Sequence, residues 1–196
     1  MVGALLSSLL LPSLTRQWQN HEKELEFRAT LVEEMNTATA DFVVALKQAT
    51  FNFAREKPQV VNRALNIAWA DFDRRQAVIT GKLSSYFQDP GLGDTWKRHA
   101  DALVDFLYFL RAEDQNFTNA RREKIVNYIG EEGTLVRLEE ALERMNSGTP
   151  SPEEEQAEQE QAEQYEALAL FIEVEKRWYS KLDALVGTVL ETNTVI

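Results

Sequence analysis

Between Leu14 and Phe53 the chain repeats apolar residues at helical spacing with no helix breaker inside the run. Trp18, Leu25, Ala29, Val32, Met35, Phe42, Leu46, Ala49 and Phe53 follow one another mainly at steps of three, four or seven. That spacing lines one face of a single helix. Pro58 forbids its simple continuation. Such a helix is on the order of 60 Å long, more than a small domain is wide. The whole chain has only 8 Gly and 5 Pro in 196 residues, so few breaks are available and long helices are favoured.

Downstream the same period recurs. Pro58 suits the first turn of a second helix with the stripe Val61, Leu65, Ala68, Phe72, Ile79, Leu83 and Phe87. Asp89-Pro90-Gly91-Leu92-Gly93 reads as its stop, and Asp94 as the N-cap of a third helix. That third helix holds the run Val104-Asp105-Phe106-Leu107-Tyr108-Phe109-Leu110, which predicts a central position touched from several sides. Thr118 or Asn119 is expected to cap a short helix ended by Gly130. Thr134 is expected to cap another, with Leu135, Leu138, Leu142 and Met145 on its face. Ser151-Pro152-Glu153-Glu154 then has the capping-box pattern with proline at the first helical position. The last stripe is Leu168, Ile172, Trp178, Leu182, Leu185 and Val189. No segment alternates with period two. The predicted fold is all-α, an elongated bundle of four or five helices with long first and last members.

The domain plan has four parts. Residues 1–18 form a hydrophobic N-terminal segment, 19–146 the helical bundle, 147–166 an acidic linker and frayed helix start, and 167–196 a C-terminal helix packing on the bundle. The net charge of −11 is uneven: residues 153–166 hold seven glutamates and no Lys or Arg, leaving −4 for the other 182. This acidic balance repels nucleic-acid phosphates. The glutamate segment admits three readings: a solvated helix, a flexible tether, or a contact for a basic partner. A helix frayed by like-charge repulsion and firming up near Tyr165 is preferred.

Residues 1–15 carry no charge, and five leucines precede Pro12. A bilayer core takes about 20 apolar residues as a helix, so the segment is short for a full span. Nothing positive precedes the leucines and no small-x-small site follows them, which argues against a secretory signal. Leu5, Leu6, Leu9, Leu10, Leu11 and Leu14 occupy both sides of a helix and need cover from lipid or from other chains. Arg16 and Trp18 are residue types found at headgroup level. Positive charge lies only on the C-terminal side, which places the domain in the cytoplasm. These eight residues are the candidate membrane contacts.

The stretch LLLPSLTRQWQNHEKELEFRATLVEEMN resembles a recurring pattern in uncharacterised bacterial membrane-anchored helical proteins. In that pattern a short N-terminal transmembrane helix runs into an amphipathic helix of the type W-Q-x-x-x-K-x-L-E. The matching residues are Trp18, Gln19, Lys23, Leu25, Glu26, Leu31 and Val32, within about thirty residues. The resemblance implies membrane attachment and supplies no activity.

No catalytic constellation is legible. There is no cysteine, and neither His21 nor His99 has a glutamate three residues before it, so a ferritin-like di-iron site is rejected. No cofactor is expected. His21 falls on the apolar stripe of the first helix and is expected to be packed or to face a partner. Asp105 interrupts the most hydrophobic helix, but Asp94, Arg98, Asp101 and Asp105 run at steps of four, three and four. That polar stripe is expected to face solvent or a neighbouring helix's arginine. The rival is an enzyme or ligand-binding bundle using Asp105, Tyr108 and a cavity near Trp69 or Trp96. Gly91-Leu92-Gly93 lacks a phosphate-loop context. Arg121, Arg122 and Lys124 form the densest basic patch, read as a solvated face, and Asn116-Phe117-Thr118 is a glycosylation sequon of no consequence in the cytoplasm. The functional expectation is a non-enzymatic scaffold or interaction protein tethered to the cytoplasmic face of a bacterial membrane. The alternative is a soluble homo-oligomer whose leucine segments form the subunit contact.

Overall fold

Six helices in up-and-down order make up the computed structural model, which describes the backbone of residues 2–52, 58–111, 118–147 and 153–194. Side chains are described for 20–51, 62–111, 118–145 and 161–194. The helices are α1 (Val2–Asn52), α2 (Pro58–Tyr86), α3 (Gly91–Leu110), α4 (Asn119–Ile129), α5 (Glu132–Ser147) and α6 (Glu153–Glu191). The described count is six rather than four or five. Among the described residues there is no strand, only an isolated antiparallel bridge between Phe87 and Thr194. The first and last helices are the longest, as expected: α1 has 51 residues and extends about 76 Å.

Contacts fix the order of packing. Phe42 stacks on Phe72 at 4.4 Å while Lys82 meets Glu34 and Phe27 meets Tyr86, so α2 runs antiparallel to α1. The α1–α6 pair runs the same way, with Lys47 bonded to Glu175 and Phe51 against Phe171. Between α1, α2, α4 and α6 lies α3, with eleven of its twenty residues buried. Its apolar run supplies the reason: Phe106 meets Phe109, Phe171 and Trp178. The short α5 covers the free side of α6, burying Leu135, Leu138 and Leu142.

Two helix starts differ from expectation. Pro90 already has helical angles (φ −66, ψ −18), and the Asp89 carboxylate accepts from Gly91 N at 2.8 Å. Asp89 therefore caps α3, Pro90 fills its first position, and Asp94 lies in the first turn rather than at the cap. Gly93 faces α2, where an added Cβ would stand 2.3 Å from Ser84 Oγ. Likewise α5 begins at Glu132, so Thr134 is inside the helix, buried, with its hydroxyl 3.4 Å from a Glu173 carboxylate oxygen. The α4 boundaries agree with the sequence reading. Thr118 accepts from Arg121 N, and Gly130 takes the left-handed conformation at φ 77.

The buried face of α1 keeps Met35, Phe42, Leu46 and Ala49 of the expected stripe and departs from it nearer the N-terminus. It reads Arg28, Leu31, Met35, Ala38, Thr39, Phe42, Val43, Leu46, Ala49 and Thr50. Leu25 and Ala29 are exposed and Val32 is half-buried. In α6 the backbone is one helix from Glu153 onward, and Ala167 is the first fully buried residue described. Ser151 and Pro152, the expected caps, and Asn116-Phe117 of the sequon lie outside the described residues.

Two glycines separate backbone need from mere tolerance. Gly130→Ala is expected to cost about 1 kcal/mol, because an L side chain is strained at positive φ. Gly187→Ala is expected to add about 0.5–1 kcal/mol, since Gly187 is within α6 with open space at its Cβ. Urea unfolding of each variant against the parent chain measures both signs.

Candidate functional site

Four packed helices converge on His99, and the polar groups there are built one helix at a time. His99 enters from α3 and has no exposed surface. Its Nε2 is 3.1 Å from Thr39 Oγ1 of α1, and its Nδ1 is 2.6 Å from the Tyr128 hydroxyl of α4. Trp96 stacks on the imidazole at 5.4 Å, while Trp178 of α6 presents an edge at 6.1 Å. Tyr128 in turn stacks on Trp178 at 5.0 Å. Trp96 donates its indole N–H to Gln76 O at 3.1 Å, tying the group to α2.

A neutral imidazole has one donor and one acceptor, and each hydroxyl beside it can serve either way, so the ring is satisfied without charge. Burial opposes the imidazolium and pushes the His99 pKa down to about 4. Burial likewise raises the Tyr128 phenol above its ordinary value, with Arg98 acting weakly in the other direction. The arrangement is a neutral hydrogen-bonded relay reaching from Tyr128 through His99 to Thr39.

A cleft opens at Tyr128. It has a volume of about 320 Å³ and lies where α3 begins, α4 ends and α6 nears its end. Leu92, Ala184 and Leu185 contribute its apolar wall, and Thr95, Arg98, Lys181 and Thr188 its polar one. A larger concavity of about 600 Å³ between α1 and α2 is lined by both signs of charge, including Glu33, Glu34, Arg74 and Arg75.

At the base of the bundle the chain buries a charged residue. Arg28 of α1 is 7% exposed and donates to Val189 O and Leu190 O, at 3.2 and 2.6 Å. These are last-turn carbonyls of α6 that no helical N–H satisfies, and they carry the negative end of its dipole. The guanidinium also pairs with Glu24 and lies 5.7 Å from the Phe87 ring centroid. The Glu24 carboxyl is held below its ordinary value, first by a hydrogen bond with Thr194 and then by Arg28. Gln88 N donates to Asn193 O at 3.0 Å, completing the junction of α1, α2 and α6.

Below that junction Asn20, His21, Glu22 and Lys23 are all exposed. Four consecutive residues make a full turn, so no described element covers any side of α1 at that level. His21 is therefore solvent-facing in the protomer, not packed. Of the candidate membrane contacts, Leu5, Leu6, Leu9, Leu10, Leu11, Leu14, Arg16 and Trp18 all lie outside the described side chains. Among the described residues no helix is long and apolar enough to cross a membrane.

The other singled-out residues are structural in their contacts. Asp105 is 4% exposed and meets Arg121 Nη1 at 2.6 Å and Lys124 Nζ at 3.8 Å. The polar stripe thus ends on a neighbouring helix's arginine, one of the two expected outcomes. Burial raises the Asp105 carboxyl while Lys124 and Arg121 lower it, and burial prevails. Arg121 also covers the Tyr108 ring at 4.1 Å, and Arg122 bonds Glu139 of α5 at 2.6 Å. Two of the three cations of the basic patch therefore dock α4 to its neighbours rather than forming a solvated face. Trp96 is fully buried and Trp69 is on the surface; neither they, Asp105 nor Tyr108 line the concavities described above. Among the described residues no three His, Cys, Asp or Glu side chains cluster as metal ligands.

Sequence reasoning missed Thr39, Tyr128 and Arg28. Arg28 had a usable signal: it stands three and seven residues before Leu31 and Met35 on the same face. No protein-family model, curated protein or solved structure matches this chain.

Two measurements test this geometry. Folded His99 refuses a proton that the unfolded chain accepts between pH about 6.5 and about 4. Its contribution to stability therefore falls as pH drops through that window, by on the order of 3 kcal/mol in all, and levels off below it. Direct NMR titration of the ring should give a midpoint near 4; one at 6 or above contradicts the buried neutral state. For the basal junction, Arg28→Met should cost about 2 kcal/mol in urea unfolding and speed amide exchange in the last turn of α6. Unchanged exchange there would show that the carbonyls do not depend on Arg28.

Proposed function

We propose that this chain is a non-enzymatic helical scaffold or interaction protein held at the cytoplasmic face of a bacterial membrane by residues 1–18. The supporting observation is the uncovered turn of α1 at Asn20–Lys23, N-terminal to the first described core residue, Leu31. N-terminal to that turn the sequence is leucine-rich and uncharged up to Arg16. An apolar segment carried away from its own core needs lipid or another chain as its solvent. The lack of charge through residue 15 favours lipid, and Arg16 and Trp18 suit the headgroup boundary. The resemblance to membrane-anchored bacterial proteins points the same way. The body contributes a rigid multi-helix support with mixed-charge concave faces, suited to holding a protein partner at the membrane.

A soluble homo-oligomer is the second reading, favoured by the same leucines if helices from two or more copies pack them around a shared axis.

Cell fractionation of the full chain and of a form lacking residues 1–14 tests the proposal. The full chain is expected in the membrane fraction and resistant to a salt wash, and the shortened form in the supernatant with an unchanged thermal midpoint. A full chain that stays in the supernatant as a single species contradicts the tether. In that case, a small oligomer by light scattering that dissociates on deleting residues 1–14 identifies the second reading.

A further inference from the structure

From the cleft at Tyr128 we infer a binding site for a small carboxylic acid with an apolar body. Two cations, Arg98 of α3 and Lys181 of α6, stand at the cleft, and neither forms an ion pair among the described residues, although Arg98 also borders a neighbouring concavity that holds Asp94 and Asp101. Arg98 is oriented by Thr95, whose hydroxyl accepts from Nη2 at 3.0 Å. The acidic residue at the same cleft, Asp89, is committed to the Gly91 N–H that starts α3. In a chain of net charge −11, this concavity presents more positive charge than negative. Positive charge facing a partly enclosed space attracts a small anion and holds it more firmly than open surface does.

The rest of the lining selects the kind of anion. Ala184 and the half-buried Tyr128 ring, with Leu92 and Leu185 buried behind them, give it an apolar side that a bare phosphate would leave unused. At about 320 Å³ the cleft is at the small end of ligand-pocket sizes, about 300–1,000 Å³. A compact aromatic or short aliphatic acid satisfies both requirements: its carboxylate meets Arg98 and Lys181, and its body covers Ala184 and the Tyr128 ring.

Tyr128 gives the site a connection to the interior. Its hydroxyl is 2.6 Å from His99 Nδ1, and His99 continues to Thr39 of α1. A ligand resting on Tyr128 therefore changes the surroundings of a buried imidazole on the central helix. His99 becomes an internal reporter, and His21, exposed on the projecting turn, becomes the control in the same spectrum.

The test is NMR of the full chain, labelled at histidine and kept in a non-ionic detergent, titrated with sodium benzoate, benzamide and inorganic phosphate. Benzoate should shift the His99 ring signals saturably, with a Kd on the order of 1 mM, and leave His21 in place. Benzamide and phosphate should bind at least about tenfold more weakly. Arg98→Gln and Lys181→Gln are surface changes that leave the core intact, and each should weaken benzoate about fivefold. Ala184→Phe should fill the cleft and remove the response. No saturable shift at His99, benzamide or phosphate binding as tightly as benzoate, or benzoate affinity unaltered in the double glutamine variant would each overturn the assignment.

Discussion

The broad apolar face of α3 is the constraint that organises the molecule. Leu92, Trp96, Ala100, Leu103, Phe106, Leu107 and Phe109 spread over more than half of its circumference, and the stripe of Asp94, Lys97, Arg98 and Asp101 stays exposed. The chain packs α1 and α2 before it, and α4 and α6 after it, against the rest. Long α1 and α6 follow from the same need: antiparallel to each other, they flank α3 along its length and extend beyond it at both ends of the sequence order.

Three polar residues trapped by this arrangement each find a partner, whereas the indole N–H of buried Trp178 has no hydrogen bond among the described residues. His99 is placed where α1, α3, α4 and α6 meet, and two hydroxyls and three aromatic rings accept it as a neutral group. Asp105, one turn and a half further along α3, is answered by Arg121 at the start of α4. Arg28 is answered by the exposed carbonyls of α6. Each is a polar contact between helices distant in sequence, and a buried polar group without its partner costs more than the bond itself contributes. These pairs specify which helix lies against which, a task that interchangeable leucines and phenylalanines perform poorly.

The helical class, the long terminal helices and the central place of α3 were legible because periodicity and local apolar density are properties of neighbouring residues. The Thr118 cap and the Gly130 stop were legible for the same reason. The expected cap was Asp94, and the proline after Asp89 moves the start of α3 five residues earlier by presetting helical φ at Pro90. The N-terminal part of the α1 stripe departs from expectation because Arg28 is buried there, on a partner 161 residues away. The His99 group was out of reach altogether: Thr39 is 60 residues from it and Tyr128 is 29, and neither distance carries a helical or motif period. The leucines of residues 1–14 supplied the functional expectation, and the exposed turn at Asn20–Lys23 is the described feature that supports it.

Native-state hydrogen exchange on the full chain tests the central role of α3 most directly. If the other helices are arranged around it, the amides of Ala100 to Phe109 exchange only through global unfolding and share the highest protection in the molecule. Protection in that stretch lower than in α2 or α5 would mean that α3 opens while its neighbours stay folded, and that the bundle is organised around something else.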